Sequence, residues 1–451
     1  MSRAHAVVLG AGISGLLAAR ALAGHYERVT VVDRDDLPAG PAHRKGTPQD
    51  RHPHLLLARG ARVLEELHPG LLADMVLSGA PVLRTFRDTH LDFCGHLLSR
   101  QGATPEPMYL PTRTALEAGL RARTARHATL RAGTTATDLI QSDGKVVGVG
   151  LETAAGREEL GADLVVDATG RSGRAAAWLP ALGFPAPAED RVEVDVCYVS
   201  AFLDLPEHLQ RAILVSATPA RPWGIAGGRT DGDRGLVTAY GYRGHHPSTD
   251  YEGIVDAFAE LAPPGWLEAL LETRPERVAV HRYPCSIRRR YEKLRAFPQG
   301  LLVVGDGLCS FNPLYGQGMT VAALQALTLR QTLAGGDRDL ARRFFTAAAR
   351  DVDVAWRLSV CGDLAYPCVP GPRPPWVAVV NRGTDAVLSA AESDTRVRDG
   401  FLRVSWLLDP PSRLAHPAFA ARVLRHRFRA PRAPEAPAAT PAAAAHAGPR
   451  R

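Results

Sequence analysis

Lysine is almost absent from this chain: Lys45, Lys145 and Lys293 are the only three among 54 basic residues. The rest are arginines, a bias that fits GC-rich coding better than a binding task. The six cysteines (Cys94, Cys197, Cys285, Cys309, Cys361, Cys368) include no Cys-x-x-Cys pair. Their scatter excludes a zinc ribbon and a disulfide framework, and free thiols in a reducing, cytoplasmic setting are expected. His52 and His54 lack a cysteine or carboxylate cluster beside them, so no metal site is expected. No stretch reaches the apolar length of a membrane-spanning helix. Arg3, His5, the apolar run from Ala6 and Ala21-Leu22-Ala23 imitate a signal peptide. The run is interrupted by glycines and followed by a strand ending in an acid, so no signal peptide is read. Net positive charge is also scarce outside one place. Of the net +7, nearly all lies between Arg422 and Arg451, where seven arginines face the single acid Glu435. The near-neutral body argues against a nucleic-acid partner, and the Ala/Pro/Arg tail at 429–451 is expected to be disordered.

Three distant segments carry the information that is present. Gly10-Ala11-Gly12-Ile13-Ser14-Gly15 follows the apolar run Ala6-Val7-Val8-Leu9. Gly10 permits a tight turn, Gly12 lets backbone approach a pyrophosphate, and Gly15 lets the helix opened by Ile13 and Ser14 pack on the sheet. That helix presents free N–H groups and a positive dipole end to phosphates. The second apolar run, Val29 to Val32, ends in Asp33, close to the roughly twenty-residue offset at which an acid holds a ribose. An acid there favours a free 2′-hydroxyl over a phosphate. The second segment is Asp163-Leu164-Val165-Val166-Asp167-Ala168-Thr169-Gly170-Arg171. The third is Leu301-Leu302-Val303-Val304-Gly305-Asp306 running into Pro313-Leu314-Tyr315-Gly316-Gln317-Gly318-Met319. Their order and spacing point to FAD.

Periodicity gives an α/β chain: a three-layer Rossmann-like FAD-binding domain, a β-sheet substrate domain and a C-terminal helical region. The FAD-binding parts are expected at 1–85, 110–175 and 295–335. A substrate-domain insertion is expected at 86–109, the β-rich substrate domain at 176–294 and helices at 336–428. Helices are expected at 54–67, 113–125 (capped by Thr112), 251–261, 319–333, 340–357, 377–388 and 416–428. A β-meander is expected over 129–160, broken at Ser142-Asp143-Gly144-Lys145 and Thr153-Ala154-Ala155-Gly156. Alternation at 192–196 and 235–241 reads as strands of a sheet lying over the flavin.

These residues resemble the p-hydroxybenzoate-hydroxylase-fold flavoprotein monooxygenases over residues 5–370. Arg44 to His54 and Phe311 to Thr320 are more similar to bacterial polyether epoxidases acting on lasalocid and monensin precursors; squalene-epoxidase-like and aromatic-hydroxylating enzymes share the fold. The resemblance implies that Asp33, beside Arg34, binds ribose. It implies that Arg44 or Arg51, and Arg113, contact phosphates or the ribityl chain, and that backbone near Ala136 touches adenine. Gly305 and Asp306 would meet the ribityl chain. The loop Pro313, Gly316, Gly318 and Met319 would aim N–H groups at the flavin pyrimidine edge, where reduced flavin carries negative charge. Ala168-Thr169-Gly170 departs from the Asp-Gly pair of many NADPH-using members. NAD(P)H is therefore expected as a transient donor, either directly or through a separate flavin reductase.

The implied chemistry is borne by the flavin: O2 gives a C4a-hydroperoxide, an apolar substrate attacks its distal oxygen, and no protein nucleophile is required. Epoxidation of a C=C bond in a polyketide or isoprenoid intermediate leads. Aromatic hydroxylation would profit from a base, and a prenyl reductase or a flavin-binding protein without turnover also remains open. A flavin halogenase is a less favoured alternative, because its usual Trp-x-Trp-x-Ile-Pro stretch is not supplied by Trp223-Gly224-Ile225. No catalytic residue is assigned. Tyr240, Tyr242, His245, His246 and His281 fall in the β-rich region without a legible face.

Overall fold

Five short apolar runs pair in parallel because each is followed by a helix or crossover that returns the chain to the same edge of the sheet. A computed structural model describes residues 3–429; the expected disordered tail lies, but for its first residue, outside them. The sheet order is Leu301–Val303, Leu164–Asp167, His5–Leu9, Arg28–Val32, Thr129–Arg131. Every residue of His5–Leu9 and Leu164–Asp167 is buried, as expected for strands covered on both faces. Helices Ile13–Leu22, Arg113–Thr124 and Gly318–Ala334 form one outer layer. The antiparallel meander Thr135–Ser142, Lys145–Thr153, Gly156–Gly161 forms the other. Leu139, Val146, Val149 and Leu151 join Val7, Val165 and Leu302 in one core.

The second unit is a seven-stranded sheet ordered Arg277–Tyr283, Val196–Asp204, Arg234–Gly241, Trp223–Arg229, Ala212–Val215, Thr89–Phe93, His96–Leu97. Strand alternation divides its side chains. Cys197, Val199, Ala201, Val237, Ala239 and Ile225 pack under helices Tyr251–Leu261 and Trp266–Glu272. The paired residues Tyr198, Ser200, Thr238, Ala226 and Leu214 occupy the opposite face. Helices Leu340–Asp363, Pro375–Ala391, Thr395–Ser405 and Pro417–Arg429 close the C-terminal side. No helix among the described residues is long and apolar enough to cross a membrane.

Three local expectations are corrected. The helix expected from residue 54 is Ala58–Leu67, because residues 52–57 run extended and Leu56 bridges to Tyr109. Thr129–Arg131 leaves the meander and pairs with Thr30–Val32 at the parallel sheet's edge; a three-residue strand carries no sign of its partner. The strand read over 192–196 is divided between two sheets, since Asp195 adopts φ 45° and redirects the chain.

The glycines of the first turn are sterically distinct. A Cβ on Gly15 would lie 1.8 Å from the Gly10 carbonyl oxygen, and one on Gly10, at φ 102°, 2.6 Å from that of Ala168. A Cβ on Gly12 meets nothing within 4 Å. Gly15→Ala is therefore expected to cost about 2–3 kcal/mol of stability, whereas Gly12→Ala costs under about 1 kcal/mol; thermal unfolding of the two variants checks the contrast.

Candidate active site

Helix Ile13–Leu22 starts at Gly12 with no side-chain cap and no acid in its first turn. Its leading N–H groups thus keep their hydrogen-bonding capacity and the positive end of the dipole. One strand away, Asp33 Oδ2 accepts from Ala11 N–H at 2.6 Å and Oδ1 from Asp35 N–H at 2.9 Å. Each oxygen retains a second lone pair for a ligand hydroxyl. Arg34 is exposed beside it. Arg51 is partly exposed, 4.0 Å from Asp50. Ala136 is buried in the meander, and its carbonyl accepts from the Arg174 guanidinium.

Arg44 lies within this cradle but is claimed by carboxylates. Its Nη2 donates to Glu117 Oε2 at 2.8 Å and to the Ala11 carbonyl at 3.3 Å, while Nη1 lies 3.4 Å from Asp35 and 3.5 Å from Asp33. Arg113 Nε takes the other Glu117 oxygen at 2.7 Å. Burial alone would neutralise these groups. Instead the ion pairs prevail, moving Arg44 up and Glu117 down from their ordinary values.

After Leu301–Val303 the chain turns at Gly305, φ 67°, whose Cβ would strike Ser14 Oγ at 2.3 Å. Asp306 follows. Its carboxylate pKa is raised by burial, against the opposing fields of Arg113, Arg171 and Arg289, and no hydrogen bond to it is formed among the described residues. Exposed Pro313 then leads a single turn to Gly316, φ 63°, and helix Gly318–Ala334 begins without an acid in its first turn. A Cβ on Gly318 meets nothing within 4 Å, while Met319 is buried.

The segment 52–54 joins this cradle to the front of the seven-stranded sheet. His52 Nδ1 is 2.7 Å from Ser200 Oγ, which in turn contacts Thr238 Oγ1. His52, Tyr198 and His281 form a ring cluster, with centroids 5.6–6.3 Å apart. Burial, reinforced by His281, His54 and Arg51, lowers the His52 pKa to about 3. Burial and then Arg113 lower that of His54 to about 4. Both rings are neutral at pH 7. His54 Nδ1 donates to the His52 carbonyl at 2.8 Å, leaving Nε2 as an acceptor. Half-buried Leu55, Phe93, Leu110, Leu214 and Phe401 pack against an apolar cluster that includes Leu57, Phe86 and Leu91.

A buried polar network holds the 312–316 turn from behind. Asn312 Oδ1 accepts from Tyr198 Oη at 3.0 Å and Leu314 N–H at 3.2 Å. Its Nδ2 donates to Asp363 Oδ1 at 2.8 Å. That same oxygen accepts from Tyr315 at 3.0 Å and Tyr242 at 3.1 Å, whereas Asp363 Oδ2 has no partner among the described residues. Burial raises the Asp363 pKa to about 7 against the pull of these donors.

The residues fit an adenine dinucleotide bearing a flavin. Two uncapped helix N-termini open onto glycines with free space, and a carboxylate without a hydrogen-bond partner lies between them in sequence. A family described as NAD(P)-binding Rossmann-like domain matches residues 8–73. Protein Rv3254 of Mycobacterium tuberculosis (strain ATCC 25618 / H37Rv) is 35% identical over 445 residues, covering 94% of each chain. The chain belongs to the family of Protein Rv3254. Its fold is that of flavin-dependent monooxygenases. The flavin-dependent brominase Bmp2 superposes with a TM-score of 0.66 at 14% identity, over 94% of this chain and 100% of that one. The p-nitrophenol 4-monooxygenase PnpA from Pseudomonas putida DLL-E4 gives 0.66 at 17% identity, over 91% and 100%.

Around the cradle the fold gathers Gly10 to Gly15, Asp33, Arg44, Arg113, Asp306 and residues 313–319; Arg34 and Arg51 lie at more exposed positions. Glu117, Asn312 and Asp363 escaped the sequence reading. Only Glu117 left a signal, its i, i+4 spacing from Arg113 on a helix.

Asp363 makes stability pH-dependent. Its folded pKa lies above the ordinary 3.8, so the contribution is full below pH 4 and is lost as pH rises through about 7, a linkage on the order of 4 kcal/mol. Asp363→Asn keeps an acceptor oxygen and cannot ionise. Thermal melts between pH 5 and pH 8 should show a decline in the wild type that is clearly shallower in this variant.

Proposed function

We propose that the protein is an FAD-dependent monooxygenase that places one oxygen atom from O2 on an electron-rich carbon of an apolar small molecule. The observation that carries this reading is the cradle of two open helix N-termini, joined to the seven-stranded sheet by a segment whose imidazoles, His52 and His54, are held neutral. Bound FAD would supply the reducing equivalents and the activated, electrophilic oxygen; NAD(P)H, directly or through a separate reductase, would recharge it. The N–H groups after Gly12 would hold the pyrophosphate, Asp33 the ribose and Asp306 a ribityl hydroxyl. The N-terminus of helix Gly318–Ala334 would stabilise negative charge on the reduced ring. The apolar side chains of Leu55, Phe93, Leu214 and Phe401 would exclude water and orient the substrate.

Epoxidation of a C=C bond in a polyketide or isoprenoid intermediate needs no protein base, which suits a sheet face bearing neutral rings. Aromatic hydroxylation is the second reading, favoured by His52. The uncharged imidazole of His52, tied to Ser200, can accept a hydrogen bond from a phenolic hydroxyl and orient the ring, although at a pKa of about 3 it does not take up the proton. The reaction named for the p-nitrophenol 4-monooxygenase accords with that alternative.

Flavin-loaded protein reduced without air and mixed with 18O2 should place one labelled atom in a polyene or a phenol. Absence of label from both would overturn the proposal. The labelled product separates the readings: label in the polyene and none in the phenol favours epoxidation, whereas label in the phenol, with turnover lowered about tenfold in His52→Gln, favours hydroxylation.

A further inference from the structure

Outside the cradle the described residues form a cleft of about 390 Å³ lined by Arg290, Lys293, Asp353, Trp356, Arg357, Val360 and Trp376. Its charges are not balanced. Asp353 is taken by Arg288 and by Arg290, and Arg290 also reaches Asp190 and Glu292. Lys293 and Arg357 are exposed and have no carboxylate or hydrogen-bond partner among the described residues. Trp376 is 48% exposed, while Trp356 is buried. Trp376 opens helix Pro375–Ala391, which has no acid in its first turn. Two unpaired cations beside an exposed indole are individually ordinary. Lining one cleft of ligand size, they combine the two features that bind a flat anion: charge to meet its acidic group and an aromatic face for its ring.

We propose that this cleft is a second ligand site, separate from the dinucleotide cradle, for an aromatic anion: a planar ring joined to a phosphate or carboxylate group. Lys293 and Arg357 bind the acidic group, and Trp376 covers the ring. Trp376, Val379 and Val380 also give the helix an exposed apolar stripe, so a membrane surface is the competing occupant.

The test uses the full chain saturated with FAD, so that the cradle is filled, and follows tryptophan fluorescence and calorimetry. Adenosine diphosphate, 1-naphthoate and inorganic phosphate are titrated separately. At least one ring-bearing probe should bind at one additional site and quench fluorescence without displacing flavin. Tighter binding of adenosine diphosphate assigns the phosphate form, and tighter binding of naphthoate the carboxylate form. Lys293→Gln combined with Arg357→Gln should weaken the bound probe about tenfold or more, and Trp376→Ala should weaken it about five- to tenfold. All three substitutions are at exposed positions, and far-UV dichroism confirms folding. The proposal is overturned if neither ring-bearing probe binds at millimolar concentration, if inorganic phosphate binds as tightly as both, or if the variants bind like wild type. It is equally overturned if only anionic phosphatidylglycerol vesicles engage the cleft.

Discussion

Glu117 is the carboxylate on which the cofactor side of the molecule turns. Nearly buried, it accepts Arg44 through one oxygen and Arg113 through the other. Those arginines are 69 positions apart in the chain, and their shared anion pins helix Arg113–Thr124 to the loop that leads into His52 and His54. Removing one partner from such a cluster leaves an uncompensated buried charge, a cost of about 3–5 kcal/mol. Arg44 is thereby spent inside the protein, tying Ala11 to the acids of the second strand. Arg113 retains its remaining N–H groups in the field of Asp306. Positive charge is thus balanced at the strand ends yet available where a ligand's phosphates and ribityl hydroxyls would lie.

The seven-stranded sheet solves a different problem. One face is sealed by two helices through aliphatic packing, which leaves the other free to carry Tyr198, Ser200, Thr238 and His281. Tyr198 links this face to Asn312, so the sheet and the turn at 313–316 are held in one hydrogen-bonded network with Asp363 behind it. Deep burial keeps His52 and His54 uncharged. A neutral, partly apolar surface is what oxygen transfer to an apolar molecule requires, because a charged base would draw in water.

Much of this was legible in the sequence wherever the constraint was local. Gly15 is demanded by the Gly10 carbonyl within one strand–turn–helix and Gly10 by its own φ of 102°, while Asp33 follows its strand directly and Asp306 comes just after the strand that ends at Val303. The cap at Thr112 placed one helix start correctly. What stayed hidden depends on distant partners. Asp363 ends a long charged helix, and nothing nearby in sequence announces that Asn312, Tyr242 and Tyr315 will surround it. Thr129–Arg131 is too short to name the sheet it joins. His52 gains its low pKa chiefly from a fold that buries it against Ser200 and His281, to which its chain neighbours Arg51 and His54 only add.

The central claim is that the Gly12 helix terminus receives the pyrophosphate of FAD. Gly12→Asp tests it most directly, because an aspartate at the N-cap suits the helix itself while placing a negative charge against the phosphates. FAD is titrated into the apoprotein of wild type and variant, following flavin fluorescence. The account predicts one FAD per chain for wild type. For a variant that melts no lower, it predicts affinity weakened by about a hundredfold or more. Wild type that binds no FAD, or a folded Gly12→Asp variant that binds it equally well, would contradict the account.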